Sequence, residues 1–522
     1  MKKGLITSIL MLTIGSVQAQ SLPVLPRLVV MLTIDQLRTD YMEDFEPLYG
    51  EGGFRRLLRE GKVFAHAEMP FAGADRASAL AAIHTGSTPS VNGIIGENWL
   101  DAQTLRPVNC VDDTQFMGNY TNESSSPSRL LVSTLADELR IATHNRALVY
   151  AIAPFREAAI FGAGHAGNGA FWLNEQTGKW CGTTYYRDFP HWLDEINGKD
   201  APDSRIKNLT WTPLHPLERY TCLPGTVTEP FKYKLSGENN LKYNRLAHTP
   251  FINDEVNRLA EALVEKSDIG RDAVPDFLSL TYYAGPYHAL STGTQALEMQ
   301  DLYARMDRSL ATLLNMLDRR IGLSNILFCV ASTGYVDNSI PDLDLYRIPG
   351  GEFHLNRCAT LLNMYLMATY GEGQYVEAYY DQQIYLNHKL IEDKQLNLTE
   401  VQEKAAGFLV QFSGVNEVYS AHRLLLGSWS PRTDLIRNGF HRLRSGDLLI
   451  GVLPGWTIIQ EDGADIHTVR AAGTPTPLIL LGPGIGAEII RVPVRATSIA
   501  PTLSGAMRIR APNASSEAPL DL

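Results

Sequence analysis

Six apolar runs rich in β-branched residues punctuate the chain: Leu28–Ile34, Ala147–Ile152, Phe277–Tyr283, Ile326–Ala331, Leu448–Leu453 and Leu478–Leu481. Between them, helical periodicity predicts helices over Ser128–Ala142, Gln295–Leu317, Val376–Leu390 and Thr399–Phe412. A strand that is apolar on both sides must be covered on both sides. The alternation therefore predicts an α/β chain, a three-layer αβα sandwich around a mainly parallel central sheet. In such sheets ligands bind beyond the carboxyl ends of the strands. Asp35 directly follows the first run and Ser332-Thr333 close the fourth, so both are expected at one crevice. The stretch Pro190 to Tyr243 is rich in Trp, Pro, Asp and Lys and lacks periodicity. It is expected to form an irregular insertion or cap, at about 190–243, within one domain spanning 20–522.

Residues Met1-Lys2-Lys3, an apolar stretch from Leu5 to Ile14 and Val17-Gln18-Ala19 follow the plan of a secretory signal peptide over 1–19. The apolar run is well short of the ~20 residues of a spanning helix, so a cleaved, periplasmic chain without a membrane span is expected. Lys and Arg total 46 against 57 Asp and Glu, a net charge of −11, which excludes the basic face that nucleic acid requires. Cys110, Cys181, Cys222, Cys329 and Cys358 form no C-x-x-C pair, so zinc–thiolate binding is not expected. Cys329 reads as a buried thiol, and pairing of Cys181 with Cys222 stays open.

Four segments carry a family resemblance. They are RLVVMLTIDQLRTDYM around Asp35, HTGSTPSVNGIIGENW from His84 to Trp99, AGHAGNGAFWLNEQTGKW from Ala163 to Trp180, and E-x-x-D-x-Y-x-R-x-D from Glu298 to Asp307. In this order they resemble the alkaline phosphatase superfamily, in particular its bacterial periplasmic phosphate-monoesterase branch, beside the type I phosphodiesterase/nucleotide pyrophosphatases. The resemblance runs from about Arg27 to the C-terminus and implies an alkaline-phosphatase-like fold. It also implies a pair of zinc ions that activate a Thr or Ser nucleophile and clamp the attacking and leaving oxygens.

Compared position by position with that resemblance, most of the site is replaced. Asp35 matches the first metal-binding aspartate. The nucleophile position, counted back from Thr85-Gly86, falls on Arg76, whose guanidinium stays protonated. Ser78 is a substitute candidate that reads more simply as helix packing. The next Asp and His ligands fall on Pro286 and Leu290, with His288 between them. The Asp-His pair that ends a strand becomes Ser332 and Thr333, and hydroxyls are poor zinc ligands. The last His falls on Ile466, with His467 alongside. Among substrate-contacting positions, Asn98 matches, and a Lys-Asp-Arg motif falls on Phe155-Arg156-Glu157, where a one-residue slip would give Arg156 the arginine's role. His165 of the A-G-H motif reads as a structural residue of its loop.

These replacements point to an exported, catalytically silent pseudoenzyme that acts by binding or scaffolding, with no cofactor expected and an unknown periplasmic protein or anionic ligand as partner. An anion would be held by Asn98, Arg76, Arg156 and backbone N–H groups of the helix after Asp75. The alternative is an active phosphate mono- or diester hydrolase whose rearranged zinc site draws on Asp35, Asp75, Ser78, His288 and His467. Arg76 stands where the nucleophile nearest the metal would be, so its guanidinium is expected to reach Asp35 in place of that metal.

Overall fold

A computed structural model of the chain describes residues 25–187, 189–220, 229–236, 242–287, 296–336, 349–459, 466–469 and 473–522. The proposed signal segment, Cys222, His288 and Leu290 lie outside the described residues, as do the side chains of Ile466 and His467. The core strands are β1 (Leu28–Asp35), β2 (Lys62–Glu68), β3 (Val149–Ala153), β4 (Gly169–Leu173), β5 (Trp180–Thr183), β6 (Asp276–Tyr283), β7 (Ile326–Ser332) and β8 (Thr476–Leu481). Across the 11-stranded sheet they run β2-β8-β7-β1-β6-β3-β4-β5. Strands β7, β1, β6, β3 and β4 are mutually parallel, while β8 is antiparallel to both β7 and β2. The sheet is thus mainly parallel, with Leu478–Leu481 as an antiparallel member.

Strand β1 shows why its sequence is a continuous apolar run. Leu28, Val30, Leu32 and Ile34 join one apolar cluster, while Val29 and Met31 join another on the opposite face. All eight β1 residues are buried, as expected of a parallel strand covered twice. The principal covering helices are α1 (Arg76–Thr85), α2 (Leu135–Ala142), α3 (Arg156–Ala163), α4 (Phe251–Lys266), α5 (Ala296–Arg320) and α6 (Ile499–Met507). Helices α4 and α5 pack together, and α1 packs against α3 and α6. Helix α3 approaches the sheet closely at Gly162, where a Cβ would lie 2.5 Å from Ser279 Oγ.

Three expectations need correction. Within Ser128–Ala142 only Leu135–Ala142 is helical, because Thr134 and Asp137 form a capping box that starts the helix there. Val376–Leu390 is not one helix. It is a hairpin of Val376–Tyr380 and Gln383–Leu386, followed by the short helix His388–Asp393. Asp381 and Gln382 both have positive φ, 41° and 62°, the two-residue turn that matches strand twist. Finally, Leu448–Val452 is a strand, but it belongs to a separate four-stranded antiparallel sheet with its own apolar cluster, including Leu362, Leu366, Val401 and Ile450.

The excursion from 190 to 243 is anchored rather than loose. Leu193, Ile206, Trp211, Tyr220 and Leu235 are buried in the main cluster. The Glu298–Asp307 segment of α5 supplies most of the anchors: Tyr233 Oη donates to Glu298 (2.6 Å), and Trp211 Nε1, the Leu214 amide and Tyr220 Oη all donate to Asp301. Asp307 accepts from the Gly50 and Phe54 amides. Cys181 is a buried free thiol.

Candidate functional site

The parallel strands deliver their carboxyl ends to one crevice. Asp35 ends β1, Thr333 follows β7, and β3 runs through Phe155 into the first turn of α3. Asp35 is fully buried, and a buried carboxylate needs hydrogen bonds and a counter-charge. Thr333 Oγ1 donates to its Oδ1 at 2.9 Å, Tyr335 Oη donates to its Oδ2 at 3.3 Å, and Arg76 Nη1 reaches the same Oδ2 at 3.5 Å. The guanidinium thus approaches the family's first metal-ligand position as the replacements implied.

Arg76 is the first residue of α1. Asp75 caps this helix by accepting from Ser78 N, while Ser78 Oγ contacts the Asp75 amide, a capping box. Gly86 closes the helix in the left-handed conformation, φ 66°. An arginine in a first helical turn faces the positive end of the helix dipole, so carboxylates must offset it. Glu157 Oε1 accepts from Nε at 2.6 Å, Asp35 lies 3.5 Å from Nη1, and Glu97 Oε2 lies 3.7 Å from Nη2. The guanidinium carbon also sits 3.5 Å from the Phe155 ring centroid. Burial works against the charge, but Glu157, Tyr335, Asp35 and Glu97 outweigh it and hold the guanidinium pKa well above its ordinary value.

Glu97 lies at the mouth, its side chain 40% exposed. The neighbouring Glu157 charge and then burial raise its carboxyl pKa to about 7, against the pull of Arg76 and Arg156. The folded pKa lies above the unfolded one, so this group destabilises the fold as pH rises from the unfolded carboxylate range through about 7. Glu97→Gln is therefore expected to raise the melting temperature at pH 8 and leave it nearly unchanged at pH 4. A variant melting lower than wild type at pH 8 would contradict this electrostatic account.

The structure relocates several candidates. Ser78 is buried, and its hydroxyl donates to Asp75 Oδ1 at 2.6 Å. It completes a cap and is not a free nucleophile. Asn98 is exposed and accepts from Asn109 Nδ2 at 3.2 Å, while the preceding residue, Glu97, is the one that lines the cleft. Arg156, the candidate for the family arginine's role, lines the same cleft as Arg76. Arg156 pairs with Asp112 (3.0 Å) and Glu123 (3.9 Å), and Glu157 faces the centre. The N-terminus of α1 is taken by Asp75, whose Oδ2 also accepts from the Glu97 amide. His165 places Nδ1 2.9 Å from Asp137 and Nε2 3.0 Å from the Leu130 carbonyl, a structural clamp.

The metal positions fare no better. Ser332 Oγ donates to the Leu37 carbonyl at 2.8 Å, and Thr333 is committed to Asp35. Pro286 offers only a carbonyl, which accepts from Tyr283 Oη at 2.6 Å. The Ile466–Thr468 strand pairs with Trp456–Ile459 in a separate three-stranded sheet. Among the described residues no group of three His, Cys, Asp or Glu side chains converges as a metal site. Among the described residues the donors around Asp35 do not suit a zinc pair, because a guanidinium and two hydroxyl groups already engage that carboxylate.

Beside this centre opens a cleft of about 250 Å³ lined by Arg76, Glu97, Glu123, Arg156, Glu157, Trp172 and Glu175 among others. Glu97, Glu123, Glu175 and Trp172 were not singled out from sequence. Glu97 adjoins Asn98, and Trp172 and Glu175 lie within the Ala163–Trp180 segment that carries the resemblance, whereas Glu123 lies in a polar loop with no motif.

Residues 29–477 match the family described as type I phosphodiesterase / nucleotide pyrophosphatase. The chain is 30% identical to alkaline phosphatase PafA of Elizabethkingia meningoseptica over 507 residues, 94% of this chain and 92% of that protein. It is 29% identical to alkaline phosphatase PhoV of Synechococcus elongatus, over 94% of this chain and 91% of the relative. The crystal structure of wild-type PafA superposes with a TM-score of 0.84 at 29% identity, covering 96% of this chain and 99% of that one. The fold, the order of the site-bearing strands and these matches agree: the chain belongs to the type I phosphodiesterase/nucleotide pyrophosphatase family, within the alkaline phosphatase superfamily.

Proposed function

We propose that this chain is a catalytically silent member of its family, an exported protein that acts by binding or scaffolding in the periplasm. The observation that carries the reading is Arg76. A guanidinium stands at the nucleophile position and is held between Asp35 and Glu157. It cannot attack phosphorus, and it occupies the carboxylate that a first metal would need. The hydroxyls at the neighbouring ligand positions are engaged in the fold. Among the described residues no helix is long and apolar enough to cross a membrane.

The test pairs metal analysis with turnover. The purified chain is expected to carry no stoichiometric zinc and to hydrolyse neither aryl phosphate monoesters nor diesters above background. Arg76→Thr restores a hydroxyl but no metal to ionise it, so it is expected to remain inactive. Close to two zinc ions per chain, with activity abolished by a chelator, would overturn the silent reading in favour of a rearranged hydrolase.

A further inference from the structure

The acidic balance of the whole chain hides a local reversal on the smaller lobe. Between Ala421 and Arg444 stand five arginines, Arg423, Arg432, Arg437, Arg442 and Arg444, against a single acid, Asp434, in a chain whose net charge is −11. Arg432 pairs with Glu417, Arg437 pairs with Asp434, and Arg444 donates to the Gly93 and Arg129 carbonyls. Arg423 and Arg442 are exposed and form no ion pair among the described residues.

The same stretch displays apolar surface. Leu426 is 76% exposed, Trp429 73% and Leu425 54%, at the end of the helix Ala421–Leu426 and in the loop that follows it. A lone exposed apolar side chain needs no explanation, but three large ones side by side do. They stand on a fixed base. Leu424 and Phe440 are buried together with Tyr419 beneath them. The Arg437 guanidinium carbon lies 4.0 Å from the Trp429 ring centroid, and its Nη2 donates to the Gly427 carbonyl at 3.3 Å. The helix Pro431–Gly439 is tied to the main lobe, where the Ala72 amide donates to the Leu435 carbonyl at 2.9 Å and Asn438 Nδ2 to the Pro70 carbonyl at 2.8 Å.

Protein interface anchors sit in well-packed pockets, whereas these side chains project with most of their surface free. Projecting Leu and Trp suit the boundary between headgroups and acyl chains, which needs no complementary pocket, and flanking arginines suit lipid phosphates. A second copy meeting the first through this face would set arginines against arginines. We propose that Leu425, Leu426 and Trp429 dock the chain peripherally on an anionic phospholipid bilayer, with Arg423 and Arg442 engaging lipid phosphates. This surface shares no residue with the cleft, so the proposal goes beyond the silent reading and stands or falls separately from it.

Vesicle flotation tests it with the chain from Gln20 onward, which lacks the apolar stretch Leu5 to Ile14. Partition onto mixed phosphatidylcholine–phosphatidylglycerol vesicles is expected to be at least about tenfold stronger than onto phosphatidylcholine alone. The double variant Leu426→Ser, Trp429→Ser is expected to lose about tenfold or more of that partition. Arg423→Gln with Arg442→Gln is expected to lose about tenfold and to flatten the dependence on salt. All four positions are exposed, so melting temperatures should stay nearly unchanged and show that the variants are folded. Absence of binding to the anionic vesicles, or binding that the Leu426, Trp429 variant retains in full, would overturn the proposal. Light scattering that finds a dimer dissolved by the same variant would overturn it in favour of a second copy on this face.

Discussion

Arg76→Ala is expected to destabilise the fold by about 3–5 kcal/mol near pH 7, the usual cost of removing one partner from a buried ion pair. The cost comes from what is left behind. Asp35 is fully buried, and the Glu157 side chain is only 6% exposed. Without the guanidinium, both carboxylates lose their ion-pair partner in a low-dielectric crevice. The loss should shrink as pH falls, because protonating the stranded carboxylates removes the uncompensated charge. Arg76→Lys should be intermediate, since a compact ammonium cannot reach Nε and both Nη positions at once. Urea denaturation of the three proteins at pH 7 and pH 5 checks this. A loss below about 1 kcal/mol for the alanine variant, typical of an exposed pair, would mean that Arg76 does not neutralise the crevice.

The second large effect is buried on the far end of the same helix. His84 is 1% exposed, both ring nitrogens lack a hydrogen-bond partner, and its ring meets Phe277 edge-on with centroids 6.4 Å apart. Burial alone lowers its pKa to about 4. The unfolded chain therefore takes up a proton near pH 6.5 that the native protein refuses until about pH 4. Stability is unaffected by this group above the unfolded value, falls as pH drops through that window, and levels off below it. The gap corresponds to about 3 kcal/mol lost between pH 7 and pH 4. His84→Leu abolishes this contribution. The variant is expected to match wild type at neutral pH and to be about 3 kcal/mol more stable at pH 4, the other groups cancelling in the difference. Parallel pH profiles for the two proteins would show that His84 is hydrated or protonated in the native state.

The sheet was legible because its strands are buried on both faces, which leaves runs such as Leu28–Ile34 with no polar interruption. The smaller lobe was not. Its strands are short and half-exposed, as the Val376–Tyr380 pattern illustrates, and alternating polar and apolar residues over so few positions can be read as a helix. The turn at Asp381-Gln382 contains no glycine to announce it. At the site, the Ser332, Thr333 and Pro286 replacements and the approach of Arg76 to Asp35 followed from the family resemblance, compared position by position. The carboxylate surroundings did not. Glu97, Glu123 and Glu175 come from three separate segments and meet only in the folded chain, and an exposed-looking glutamate in a loop carries no periodicity that would mark it.

Asp301 gives the excursion an unusual mechanical character. One fully buried carboxylate on α5 collects Trp211 Nε1 at 2.6 Å, the Leu214 amide at 2.5 Å, Tyr220 Oη at 2.7 Å and Arg305 Nε at 2.7 Å. A chain segment of this length would ordinarily wander at an entropic cost that grows only slowly with its length. Here its midpoint is stapled, so the span behaves as two shorter loops that share a knot. Such a staple concentrates cooperativity: Asp301→Asn is expected to loosen Trp211 to Tyr220 as one unit in hydrogen exchange, while Leu193, Ile206 and Leu235 stay seated in the main cluster.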